Sequence, residues 1–224
     1  MPCSLTSPAR ELLKWLALLL MTGDHLAKVV WGGYVPVLSE LGRVAFPLFA
    51  IVLACNLARP GADALKSARR LLPWAVLAQP VYAGAFGVLL PLNVLWSFCL
   101  LAACLALHQR GRSGWAALLF ALGGLLVEYR WFGGGLVLAA WLFYRSLAMR
   151  PPLRHELVFH GLLVLAGLAL LCVYNGNGWA LLALPVVLLL GPRQWPLPRV
   201  RWFFYLYYVG HLALLALWSH WPAG

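Results

Sequence analysis

The chain has 224 residues, of which 63% are hydrophobic and only 10% charged. A soluble domain carries about 25% charged residues, so this composition leaves too little polar surface for a fold in water. The formal charge of +11 reflects 17 Lys and Arg against 6 Asp and Glu, but these basic residues are scattered over short loops, which removes nucleic acid as a partner.

At roughly 20 residues per crossing plus short loops, the length holds about eight to ten membrane spans. The apolar runs place about nine, near 12–31, 41–57, 71–90, 92–108, 115–129, 131–146, 157–174, 178–191 and 201–221. The expected fold is an all-α, polytopic transmembrane helical bundle, with residues 1–224 forming a single integral membrane domain. The first run, Leu12 to Trp31, holds Asp24 and His25 and lacks a small-residue cleavage site. It therefore reads as a helix and not as a cleaved signal peptide. Cys3, Cys55, Cys99, Cys104 and Cys172 have no CxxC spacing, and four of them sit inside apolar runs. Neither a zinc site nor a disulfide framework is expected from such a pattern.

Charge alternates between loops. Arg10 and Lys14 stand at the first entrance, and Arg59, Lys66, Arg69 and Arg70 occupy the second loop. Arg110 and Arg112 follow in the fourth, Arg145, Arg150 and Arg154 in the sixth, and Arg193, Arg199 and Arg201 in the eighth. The loop from Gly32 to Glu40, the turn at Pro91 and the segment from Asn175 to Gly178 carry no Lys or Arg, and only Arg130 breaks the pattern. Basic loops face the cytoplasm, so the N-terminus is expected there and the bare loops outside.

Ionisable groups at membrane depth are costly and usually face a cavity or each other. Asp24 and Lys28 are an i,i+4 pair able to neutralise one another, which leaves His25 free. Adjacent helical residues point about 100° apart, so Asp24 is expected to orient Lys28 or Arg43 and not to form a close dyad with His25. Arg43 opens the second span, close in depth to Asp24 across a short hairpin, and the following Phe46-Pro47 is expected to kink that helix. A self-satisfied polar plug and a snorkelling interfacial arginine are the competing readings of these groups. Gln79, Asn93, Glu128, Asn175, Asn177 and the group Tyr207, Tyr208 and His211 lie at comparable depth.

An imidazole in a membrane cavity suits general-base work on an amine or hydroxyl. A nearby guanidinium suits an oxyanion, a phosphate or a carboxylate. The set lacks metal-ligand spacing, so no metal is expected. Base plus cation, without a Ser or Cys nucleophile motif, fits direct acyl transfer.

The stretch Leu13-Lys14-Trp15-Leu16-Ala17, then Met21-Thr22-Gly23-Asp24-His25, then Gly42 to Ala50 (GRVAFPLFA), resembles the start of the TraX family. Leu92-Asn93-Val94-Leu95 is similar to that family's Asn-Val opening of a middle helix. Phe204 to Leu212 resembles its aromatic-Tyr-Pro-x-His-Leu segment, with Val209-Gly210 in place of the proline pattern. The family is named for a pilin acetylase, so the resemblance implies acetyl transfer to a pilin N-terminus or another envelope acceptor. More distantly, the chain resembles membrane acyltransferases that modify surface sugars and use a first-helix His with a nearby Arg.

Residues and resemblance together give one expectation: a bacterial inner-membrane acyltransferase using acetyl-CoA. His25, Asp24 and Arg43 would be catalytic, with His25 the base, Arg43 the charge stabiliser and Asp24 the orienting carboxylate. Lys28, Asn93, Tyr208 and His211 would bind substrate. Arg69, Arg70 and Arg145 would contact CoA phosphates, although positive-inside topology alone also explains them. A non-catalytic assembly protein or transporter, with Asp24, His25 and Lys28 as a proton relay, is the alternative.

Overall fold

The computed structural model describes residues 5–149, 153–193, 197–200 and 202–220. Cys3, Arg150, Arg201 and Trp221 lie outside the described residues. The elements in order are α1 (Ser7–Val29), α2 (Leu38–Gly42), α3 (Ala45–Leu57), α4 (Ala64–Phe86), α5 (Val94–Gln109) and α6 (Ser113–Gly123). They continue with α7 (Arg130–Met149), α8 (Arg154–Asn175), a 3-10 turn (Trp179–Leu182) running into α9 (Ala183–Leu190), and α10 (Phe203–Ser219). The protein is all-helical over the described residues; the sole strand-like pairing among them is one parallel bridge between Leu92 and Val127.

Local chemistry sets the helix ends. Thr6 caps α1 by accepting from the Ala9 amide at 3.2 Å, and Asp63 caps α4 by accepting from Lys66 at 3.0 Å. Gly87 and Gly176 end α4 and α8 at φ +68°, the left-handed geometry that glycine adopts without a Cβ clash. Pro47 has no N–H to offer the carbonyl of Arg43, four residues earlier, and the chain breaks between α2 and α3 at Arg43–Val44. The kink expected at Phe46-Pro47 is thus a break one turn upstream.

Every apolar run read from the sequence is helical, but several bounds move. α4 starts at Ala64, so Lys66, Arg69 and Arg70 stand on helix and not in a loop. α6 stops at Gly123, because residues 124–129 leave the helix to pair with Leu92: its amide donates to Leu126 at 2.7 Å and its carbonyl accepts from Glu128 at 2.9 Å. The run at 178–191 is a 3-10 turn and a short α-helix, not one continuous span. Among the described residues, two helical stretches are long and apolar enough to cross a membrane: Leu38–Leu57 and Arg154–Asn175.

α4 packs between α5 and α10, and α7 packs between α3 and α8, while α1 joins the two groups by touching both α3 and α10. Leu13, Leu48, Leu101, Leu136, Leu168 and Leu212 fill the centre. Small residues let backbones approach: a Cβ on Gly167 of α8 would lie 3.0 Å from the Leu136 Cα of α7. Large apolar side chains also cover the outside, with Val173 74% and Leu214 69% exposed.

Contacts between helix termini mark two ends of the fold. At one end Thr6 donates to the Arg193 carbonyl at 3.4 Å, and Gln109 joins Ala62 and Ala64 across the start of α4. At the other, Ser219 donates to the Gly84 carbonyl at 3.2 Å, and Tyr174 meets Tyr129 at 5.8 Å between ring centroids. Arg10, Arg59, Arg193 and Arg199 stand at the first end, and Lys28 and Arg43 at the second, beside Glu128.

Candidate functional site

The second end holds a polar cluster built from α1, α10 and the connections that carry Arg43 and Glu128. α1 contributes Asp24, His25 and Lys28 over its last turns. Lys28 Nζ donates to Asp24 Oδ2 at 2.6 Å, the i,i+4 ion pair expected of that spacing. Asp24 Oδ1 is buried and has no hydrogen-bond partner among the described residues. It faces Gly42, where a Cβ would lie 3.3 Å from it.

Arg43 reaches this level because the hairpin after α1 is held tightly. Tyr34 donates to Glu40 Oε1 at 2.6 Å, and the Val35 amide donates to Ser39 Oγ at 3.0 Å. The Glu40 carboxylate, by accepting that bond, holds the Tyr34 phenol above its usual range. Arg43 does not bond His25; its charge acts on Glu128 and Tyr129.

His25 pairs instead with α10. Its Nδ1 lies 2.8 Å from His211 Nε2, and the two rings are within 10° of parallel. His211 Nδ1 lies 2.9 Å from the Tyr207 carbonyl oxygen. Phe86 of α4 covers His25 edge-on at 5.1 Å, and Tyr207 and Thr22 share a 2.9 Å hydroxyl bond that ties α10 to α1.

Glu128 is the member that sequence reasoning left out of the site. Its carboxylate, half-buried after α6, feels Lys28, Asp24 and Arg43 and the Val94 amide at the α5 N-terminus. Tyr208 faces the same amide and lies near Glu128, Tyr82 and Tyr129. Tyr129 stacks on Phe46 at 3.9 Å, which seats it beside the start of α3. A lone carboxylate inside an apolar run was the available signal for Glu128, but nothing local links it to Asp24.

Asn93 is adjacent but committed to the fold. Fully buried, it caps α5 through Oδ1 to the Leu95 amide at 3.1 Å, and its Nδ2 donates to Gln79 Oε1 at 2.8 Å and to the Ala75 carbonyl at 3.0 Å. Its amide thus joins α4 to α5, whereas the sequence reading placed it on substrate.

The family model described as TraX protein matches residues 9–219. The chain belongs to the TraX family. It is similar to Protein TraX of Escherichia coli, 32% identical over 227 positions that cover 93% of this chain and 86% of that one. It is also similar to Protein TraX of Escherichia coli (strain K12), 34% identical over 140 positions, 58% of this chain and 54% of that one. No solved structure matches.

The TraX match runs from α1 through α10 and so contains the whole cluster. In this TraX-family chain a cavity of about 150 Å³ lies between the two ends. Lys14 and Asn56 line it toward the basic end, Phe98 and Leu53 along its length, and Val94 and Tyr208 at the cluster. Lys14 is held there by Glu11 at 2.9 Å and lies 4.4 Å from the Phe204 ring centroid.

The arginines assigned to CoA are spread over the TraX fold. Arg69 and Arg70 are exposed on α4. Arg145 of α7 lies 5.0 Å from the Trp141 ring centroid, and α7 does not pack on α4.

Proposed function

We propose that this TraX-family chain is a multi-pass inner-membrane acyltransferase that moves an acetyl group from acetyl-CoA to a pilin N-terminus or another envelope acceptor. The observation that carries the reading is the His25–His211 pair, set beside Asp24–Lys28 and within one polar cluster with Arg43 and Glu128 in an otherwise apolar bundle. The apolar exterior supports the membrane: Val158, Phe159 and Leu162 of α8 are all more than half exposed. A lipid surround satisfies such side chains and water does not.

His25 takes a proton from the acceptor amine or hydroxyl as the nucleophile attacks the thioester carbonyl. The new C–N or C–O bond forms, the C–S bond breaks, and the departing thiolate recovers a proton as free CoA. Arg43 and Lys28 stabilise the oxyanion that develops between those events. Asp24 orients Lys28 toward it. The donor is cytoplasmic, so its arm enters from the basic end, past Lys14 and along the cavity toward Tyr208. Arg69, Arg70 and Arg145 would meet the phosphates as separate contacts and not as one clamp.

The test uses the full chain in lipid nanodiscs with radiolabelled acetyl-CoA and a peptide carrying a mature pilin N-terminus. Wild type should label the peptide, and intact mass should rise by one acetyl group. His25→Ala should lower transfer by about 10²–10⁴-fold in protein that remains folded and membrane-inserted. Full activity in that variant overturns the mechanism. Periplasm-dependent reporters fused at Gly33 should be active and those at Gly61 silent; the reverse would overturn the assigned topology.

The buried Asp24 Oδ1, without a hydrogen-bond partner among the described residues, favours a second reading, a proton relay in an assembly or transport protein. That reading gains if acceptor masses from cells with and without the gene are identical.

A further inference from the structure

The His25–His211 contact has a direction that hydrogen-bond chemistry fixes. The Tyr207 carbonyl has lone pairs and no hydrogen, so the His211 nitrogen 2.9 Å from it, Nδ1, must carry the proton. A neutral imidazole has one N–H, which leaves His211 Nε2 as an acceptor. His25 Nδ1, 2.8 Å away, must then be the donor. His25 has no second proton, so its lone pair sits on Nε2.

We propose that His211 is a positioning residue, not a substrate contact: bonded to the Tyr207 carbonyl, it holds His25 in the tautomer whose bare Nε2 is the base. The proposal rests on the acyltransferase reading for what that nitrogen does, and on geometry alone for where the proton lies. Surrounding contacts fit the role. Tyr207 stacks on His211 at 5.2 Å, and the Thr22–Tyr207 bond holds the turn of α10 that supplies the carbonyl. Phe86 fills the edge of the His25 ring and offers no competing acceptor. When His25 takes a proton at Nε2, its Nδ1–H bond to His211 becomes charge-assisted and stronger. The pair thereby stabilises the imidazolium at the step where it forms. A residue held by two bonds to protein has little hydrogen-bonding capacity left for an acceptor, which is why the substrate role assigned from sequence does not suit His211.

Two measurements test this on the intact chain in nanodiscs. With ¹⁵N-labelled histidine, resonances assigned by His25→Ala and His211→Gln should show His25 protonated at Nδ1 and bare at Nε2. A His25 protonated at Nε2 overturns the proposal, whether or not any acyl transfer is seen. In kinetics, His211→Phe removes the acceptor and should lower kcat by roughly tenfold or more with little change in acceptor KM, since tautomer control acts on proton transfer. His211→Gln can place its amide oxygen near His25 Nδ1 and should restore most of the rate. Unchanged kcat in His211→Phe overturns the positioning role, as does a higher acceptor KM with kcat intact. If His211→Phe does not fold, His211→Gln and the wild-type spectrum still decide. Inactivity of wild type with the expected spectrum would refute the enzyme reading and leave the pairing standing.

Discussion

Gly42 lies directly against Asp24: a methyl group on its Cα would come within 2.9 Å of the Asp24 Cγ and closer still to its Cβ. That approach sets α2 beside the end of α1 and fixes the depth of Arg43. Gly42→Ala must therefore displace either the helix or the carboxylate. We expect a loss of about 1–3 kcal/mol in stability and a larger proportional loss of activity than of fold, read by thermal unfolding in detergent against acyl transfer. Gly42→Ala with both unchanged would mean that the two helices yield freely there.

The Asp24–Lys28 pair is half-shielded, with the Lys28 side chain 36% exposed. Solvent reaches the lysine, so the coupling between the two is expected at the lower end of the usual range for contacting charges, about 1 kcal/mol. A double-mutant cycle with Asp24→Asn and Lys28→Met measures it. Lys28→Met alone should be the more damaging single change, because it leaves a buried carboxylate without its cation. A more stable Lys28→Met protein would contradict that.

Asn93 is tied into the fold by hydrogen bonds to Gln79, Ala75 and Leu95. Asn93→Ala takes away the α5 cap and one of the two hydrogen bonds to Gln79 Oε1, whose other donor, the Asn93 backbone amide, remains; the expected loss is roughly 1 kcal/mol, most of it from the cap. The expected signature is a lower unfolding temperature with acceptor KM unchanged in the protein that remains folded. A selective rise in KM would return Asn93 to the substrate site.

Leu53 borders the cavity between Lys14 and Tyr208. Leu53→Trp should fill part of it. If the donor's arm passes there, the KM for acetyl-CoA rises several-fold while acceptor KM and unfolding temperature hold. An equal effect on both substrates, or none on either, separates the cavity from the donor path.

Much of the architecture was legible because its causes are local. Apolar runs become helices, and the positions of basic residues sort the chain into two ends. The i,i+4 spacing foretold the Asp24–Lys28 pair, and the shortness of the hairpin placed Arg43 near Asp24. Boundaries slipped where a non-local partner decided them. α6 ends at Gly123 because Leu92, distant in the chain, takes up the backbone of residues 126–128.

Sequence alone thus determined that the chain is helical and where most of its helical segments lie. Only tertiary structure decided that His25 meets His211, 186 residues away, and that Glu128 and Tyr208 face the same amide. The reason is rotational. α5 and α10 are apolar on nearly every side, so no polar stripe marks which face turns inward. Their orientation about their own axes is set by packing on α4 and α1, and that packing brings the two imidazoles together.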